Sequence, residues 1–218
     1  MTYAGTESTA PAAFTPLTAA TTLRHKLELL HAPDTPPTAI DQAWPHLGSS
    51  DRFIRWAART AIERQIPSNW AERAIAETDP QASIEALIAL ARVGEPRYQK
   101  DIIYSLQEID FAAQPHERQL AWLRTWQLAF TRLGPPTESI RVSALESLDS
   151  LFPHADASIN RLLIELLIYL DSPTVVAKSV PLLLVAEPQE TTAEELGGAG
   201  LIARNDRYAS AVKSATNS

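Results

Sequence analysis

The sequence predicts an all-α protein, an α-solenoid of about four to five antiparallel helix pairs stacked one on the next. Three observations predict it. Seven glycines are few and sixteen prolines many for 218 residues, in a chain rich in Leu, Ala, Ile and Val. Such a composition suits helices cut at their ends rather than a sheet with tight hairpins. Apolar residues recur at helical spacing from Leu17 onward, and no stretch alternates with period two. Finally, helix ends repeat. ARVGEP at 91–96 and TRLGPP at 131–136 carry Arg, a branched apolar residue, Gly and Pro in the same order, and LDSP at 170–173 is a weaker third end. FIRWAARTA (53–61), SIEALIALA (83–91), QLAWLRTWQ (119–127) and SINRLLIEL (158–166) each start with an apolar second residue and continue an apolar stripe. Helix pairs recurring every ~30–40 residues mark this architecture, with a compact, non-repeating helical bundle as the alternative.

The elements follow from their punctuation. Residues 1–16, rich in Thr, Ala and Pro, read as an extended lead-in without the basic start and apolar core of a signal peptide. Residues 17–186 form the repeat domain, with helices expected at 17–31, 38–47, 51–66, 69–78, 80–93, 97–109, 116–133, 136–152, 157–171 and 174–186. Thr38-x-x-Asp41 resembles a capping box, and Ser50 and Ser68 are placed to cap the next two helices. Asp79-Pro80 and Ser172-Pro173 each put a cap before a proline at the first helical position. Gly94 and Gly134 stand where left-handed C-terminal caps are needed. The helix at 157–171 is apolar almost all round and is expected to be the most buried. Residues 187–218 read as an acidic, Gly-containing linker and a partial terminal helix through Leu201, Ile202, Tyr208 and Val212.

Composition excludes several chemistries. There is no cysteine, hence no disulfide, thiolate site or Cys nucleophile. The net charge of −7 argues against a nucleic-acid partner, because phosphate affinity rests on excess cations. Fifteen of the nineteen basic residues are Arg, the side chain suited to planar, bidentate pairing. The longest apolar run, within 162–170, contains Glu165 and is too short to span a bilayer, so no membrane is expected either. The five histidines, His25, His31, His46, His116 and His154, form no metal-binding spacing. No GxSxG, phosphate loop or CxxCH occurs, and neither a catalytic residue nor a cofactor is assigned. Paired carboxylates such as Glu72/Glu77 and Glu194/Glu195 read as solvated charges.

The most charged run, DRFIRWAARTAIER at 51–64, supplies the candidate interaction face: Arg52, Arg55, Arg59 and Trp56. On a helix Phe53, Ile54, Ala57, Ala58 and Ala61 share one side, and Arg52, Arg55, Arg59 and Glu63 the other, with Trp56 at the edge. That stripe suits an acidic peptide or a phosphate. Pairing of Asp51 with Arg55 and Arg59 with Glu63, both i,i+4, is the plainer expectation. Trp122 and Trp126, one turn apart with Leu123, Phe130 and Leu133, are expected in the core, and Trp44 and Trp70 in the gaps between repeats.

HLGSSDRFIRWAARTAIE resembles the second half of a HEAT repeat through Leu47, Asp51, Ile54, Arg55, Ala57, Ala58 and Ile62. In later units Glu85, Ala121 and Asn160 stand where Arg55 does. The resemblance to HEAT/armadillo-like domains implies a right-handed superhelix. The order YAGTEST, LRHKLELLH, WPHLGSSDRFIRWAAR, WAERAIAE, ALIALARVG, LRTWQLAFTRLGPP and NRLLIELLIYL is similar to a helical region of multidomain bacterial proteins. Those proteins carry a sorbosone-dehydrogenase-like propeller and a cytochrome c-like haem domain. That similarity implies a domain excised from a larger, extracytoplasmic (periplasmic) redox protein. The expected function is a non-catalytic scaffold for a protein or neighbouring domain. The rivals are a HEAT-like enzyme or nucleic-acid module, of the DNA-glycosylase or bilin-lyase kind, and a homo-oligomeric module. A nucleic-acid groove would gather Arg52, Arg55, Arg59, Arg92, Arg124 and Arg132 without interleaved acids.

Overall fold

The computed structural model describes residues 18–185, and every regular element among them is helical. The expected lead-in and the expected 187–218 linker and helix lie outside the described residues. The helices are α1 (Ala19–Leu29), α2 (Ala39–Ala43), α3 (Arg52–Glu63), α4 (Ala71–Ile75), α5 (Pro80–Val93), α6 (Gln99–Gln107), α7 (His116–Leu133), α8 (Glu138–Asp149), α9 (Ala157–Tyr169) and α10 (Val175–Val185). Short 3-10 turns at Trp44–His46, Pro67–Asn69 and Pro96–Tyr98 take up the ends of the longer spans expected around α2, α4 and α6. The chain divides into two compact units, Met1–Val175 and Val176–Ser218. All but the first residue of α10 falls in the second; α10 is an apolar helix with Pro181 inside it.

In the first unit α3 packs against α1 and α5, α7 against α5 and α9, so that these five helices succeed one another side by side. Each of α2, α4, α6 and α8 packs on the helix that follows it, and α6 also meets α4 and α8. The alanines explain the close approach: Ala57, Ala58 and Ala61 of α3 and Ala86, Ala89 and Ala91 of α5 are fully buried. Ile84, Leu87 and Leu90 fill the space beside them. In α7, Trp122, Trp126 and Phe130 recur every four residues and form a ladder, the first pair edge-on with centroids 5.4 Å apart and the second tilted at 6.1 Å. All three are buried, with Leu123 and Leu133 beside them. The Trp122 indole donates to the Leu106 carbonyl at 2.8 Å. Trp44 and Trp70 are buried too; the Trp44 indole reaches Glu77 at 2.8 Å and Trp70 the Gln65 carbonyl at 3.3 Å.

Several local expectations are corrected. Asp51, not Ser50, caps α3, its Oδ1 accepting from the Phe53 N–H at 2.8 Å and the Ile54 N–H at 3.4 Å. A carboxylate beats a hydroxyl there because it also complements the helix dipole. Asp79 caps α5 as expected, at 2.8 Å from the Ala82 N–H with Pro80 at the first position. Thr38 is itself helical and makes no side-chain cap; Asp41 instead meets Arg73 at 2.8 Å. Ser68 lies inside a 3-10 turn, and α4 has no side-chain cap. Ser172 accepts from the Thr174 N–H at 3.3 Å, and α10 starts only at Val175, two residues past Pro173.

Gly134 has φ +98°, a conformation that favours glycine, whereas Gly94 is extended at φ −76°. Gly94 is required by space, not by its dihedral: a Cβ there would collide with the Leu90 carbonyl that accepts its N–H. The most buried helix is α5, not the one at 157–171. On α9, Ile159, Leu163, Leu166 and Leu167 are buried but Ile168 is 59% exposed. The reason is position: α5 has α3 on one side and α7 on the other, with α4 and α6 also against it.

Two measurements follow. Leu87→Ala is expected to destabilise by about 2–5 kcal/mol through the cavity it leaves, and Val142→Ala by no more than about 0.5 kcal/mol at a surface position, read by urea titration. Glu77 is not a simple solvated charge. Burial alone pushes its carboxyl up. The Trp44 indole, the Asp79 and Thr78 N–H groups and Arg73 outweigh burial and hold it below its ordinary 4.5. Its stabilisation is therefore complete above that value and is lost as pH falls through the lowered one. The melting-temperature gap between wild type and Glu77→Gln should shrink on acidification below pH 4.5; a gap that is constant with pH contradicts this.

Candidate functional site

Where α3, α5 and α7 lie side by side, their N-terminal halves border a groove of about 620 Å3. It contains Arg52, Arg55, Trp56 and Arg59 from α3, Glu85 and Ile88 from α5, and Glu117, Arg118, Ala121 and Arg124 from α7. All four residues expected from the sequence are thus brought together. Arg118, Glu85, Gln81 and Glu117 are additional to them. One signal pointed to Glu85 and Ala121: in the sequence alignment of the helix starts both stand where Arg55 does. Nothing in the local sequence singles out Arg118.

Glu85 organises the floor. Its carboxylate is 10% exposed and receives Arg55 Nε at 3.2 Å and Arg59 Nη1 at 2.7 Å, one oxygen each. Arg55 also donates through Nη1 to the carbonyls of Ser49 at 2.8 Å and Ser50 at 3.1 Å, fastening the turn that leads into α3. Its Nη2 lies 3.5 Å from Glu117, a contact from α3 to α7 across α5. The expected Asp51–Arg55 pair does not form, because Asp51 is occupied as the helix cap. The Arg59–Glu63 pair does, at 3.4 Å, and Glu63 binds Arg92 as well at 2.9 Å. Phe53 is 55% exposed instead of packing with Ile54, since the buried side of α3 turns toward Ala61 and Ile62.

The remaining arginines are differently placed. Arg118 is held by two neutral amides, donating to Gln81 Oε1 at 3.1 Å and Gln114 Oε1 at 2.8 Å. Gln114 is fixed by its own bond to the Asp110 carbonyl, in the loop that Phe111 anchors against Trp122. Among the described residues Arg52 and Arg124 have no ion pair; Arg52 lies 5.2 Å over the Phe53 ring. Arg92 and Arg132 are not in the groove, and Arg132 donates to the Arg92 carbonyl at 3.2 Å. Trp56 is half-exposed at the rim, edge-on to His31 at 6.3 Å. His31 itself bonds the Ala57 carbonyl at 2.8 Å, and His116 faces Asp156 at 3.3 Å. No group of His, Asp or Glu that could hold a metal occurs among the described residues, and no helix among them is long and apolar enough to cross a membrane.

No family model, curated protein or solved structure matches this chain.

Glu85→Gln preserves the shape of the floor and removes the charge that serves two largely buried guanidiniums. It should destabilise by roughly 1–3 kcal/mol, measured by denaturant titration; a change within error would mean that the ion pairs contribute nothing.

Proposed function

We propose that the chain is a non-catalytic scaffold, an α-solenoid of the HEAT-like kind, that holds a protein segment or a neighbouring domain along the groove of α3, α5 and α7. The observation that carries this reading is the sequence separation of its long-range polar bonds. Among the described residues, side-chain hydrogen bonds linking positions more than twenty apart span 23 to 42 residues. Gln65 to Thr35 and Ser105 to Ile75 span 30, Gln107 to Ser143 spans 36, and Arg132 to Arg92 spans 40. Bonds of that separation suit a stack in which each repeat is tied to its nearest neighbour. The exception is Arg55 to Glu117, separated by 62, and it lies in the groove.

The lining supports recognition rather than reaction: guanidiniums, amides and a half-exposed indole are binding groups. By its resemblance to the helical region of multidomain bacterial redox proteins, the chain belongs beside a propeller and a haem domain in an extracytoplasmic parent. There the groove orients one neighbour against another. A photo-crosslinking residue at position 56 in the cell of origin should yield polypeptide adducts, and one at position 104, exposed on α6, should not. Adducts from neither site, or equally from both, would remove the groove from this role. The open reading frame around the segment tests the parent: it should encode a propeller upstream.

A further inference from the structure

We infer that the segment held in the groove is an acidic peptide, whose carboxylates bridge arginines of α3 and α7. The inference rests on the scaffold reading and specifies its partner. The first support is local charge. Five guanidiniums and two carboxylates line the groove, in a chain whose net charge is −7. The pairs described above neutralise only part of this. Glu85 is committed to Arg55 and Arg59, whereas Arg118 is positioned by neutral oxygens, and Arg52 and Arg124 have no carboxylate partner among the described residues. Positive charge is therefore left over on both walls, one arginine on α3 and two on α7.

The second support is preorganisation. Arg118 is fixed by two hydrogen bonds before any ligand arrives, and Gln81, which orients it, also approaches Glu85 at 3.5 Å. A guanidinium held this way loses little freedom when it binds a carboxylate, which lowers the entropic cost of association. Trp56 at the rim, with Ile88 and Ala121 inside, gives the apolar side chains of a peptide surfaces to cover.

The same lining favours a peptide over a nucleic acid. Glu117 stands at the groove with its side chain 83% exposed, and Glu85 lies in the floor. A phosphodiester chain presents a negative charge at every step and meets both. A peptide can place a neutral or donating residue opposite each. The field of a −7 chain also opposes a long polyanion, while a short peptide responds mainly to charges within about 8 Å at physiological ionic strength.

The test uses the full chain and a capped, fluorescein-labelled Glu/Ala peptide, with a Gln/Ala peptide and an oligothymidylate of similar charge as comparators, followed by anisotropy. The Glu/Ala peptide should bind, more weakly as salt is raised, and the Gln/Ala peptide should not. Arg52→Gln/Arg124→Gln should weaken binding by about tenfold or more with an unchanged melting temperature. Binding should also alter the emission of Trp56, because the other four tryptophans are no more than 5% exposed. Equal binding of the two peptides, an unaffected double variant, or tighter binding of the oligothymidylate would each overturn the inference. If the peptide fails while position 56 still crosslinks to a polypeptide, only the acidic character falls; if both fail, the scaffold reading falls with it.

Discussion

A carboxylate buried in the middle of the most enclosed helix constrains everything around it. Glu85 sits on α5 between Ile84 and Ala86, both without exposure, and has only a tenth of its side chain in contact with solvent. A charge in that position is costly unless it is paired and hydrogen-bonded. Arg55 and Arg59, one turn apart on α3, supply the pair and deliver it to separate oxygens. The requirement fixes the rotation of α3: its alanines turn to the core and its arginines to α5. Arg55 Nη1 is then directed at the Ser49 and Ser50 carbonyls, so the same side chain that satisfies Glu85 also sets the loop before α3.

The groove is a consequence of this arrangement. On this side α5 offers Gln81, Ile88 and a shared carboxylate, while α3 and α7 contribute long arginines and α3 a tryptophan. Their charges are only partly cancelled by Glu85 and Glu117. The chain is acidic as a whole and basic here. That contrast is a property of which residues the packing collects, and it separates this face from the side formed by α4 and α6, where Glu77, Asp101, Glu108 and Asp110 lie near one another. It also separates two uses of arginine within one groove. Arg55 and Arg59 serve Glu85, while Arg52, Arg118 and Arg124 have no carboxylate partner among the described residues.

Polar links also join helices away from the groove. Gln107 reaches Ser143 and Ser147, Gln99 donates to the Gly134 carbonyl, and Arg141 donates to the Leu170 carbonyl at 3.0 Å. Gly134 and Leu170 lie at helix C-termini, whose free carbonyls these side chains satisfy, while Ser143 and Ser147 lie within α8. Such bonds fix the register of neighbouring units, which apolar contacts alone leave loose.

Among the described residues, the sequence by itself determined the all-helical class, the approximate positions of the ten α-helices, and the burial of four tryptophans. These are set by period, by Asp and Pro at helix starts, and by residue size, all of which act locally. It also placed Arg52, Arg55, Trp56 and Arg59 on one side of one helix. Misjudged details were those in which neighbours compete. Asp51 chose the helix end over Arg55, Phe53 was left outside, and the helix at 157–171 proved less enclosed than α5 despite its greater hydrophobicity. Only the tertiary structure could pair Arg55 with Glu85, thirty residues away, or bring Arg118 and Arg124 to the same groove. Periodicity says which side of a helix is apolar, but not which helix will lie opposite its polar side. That is decided when burial of the alanines brings α3, α5 and α7 together and the charges between them must find partners.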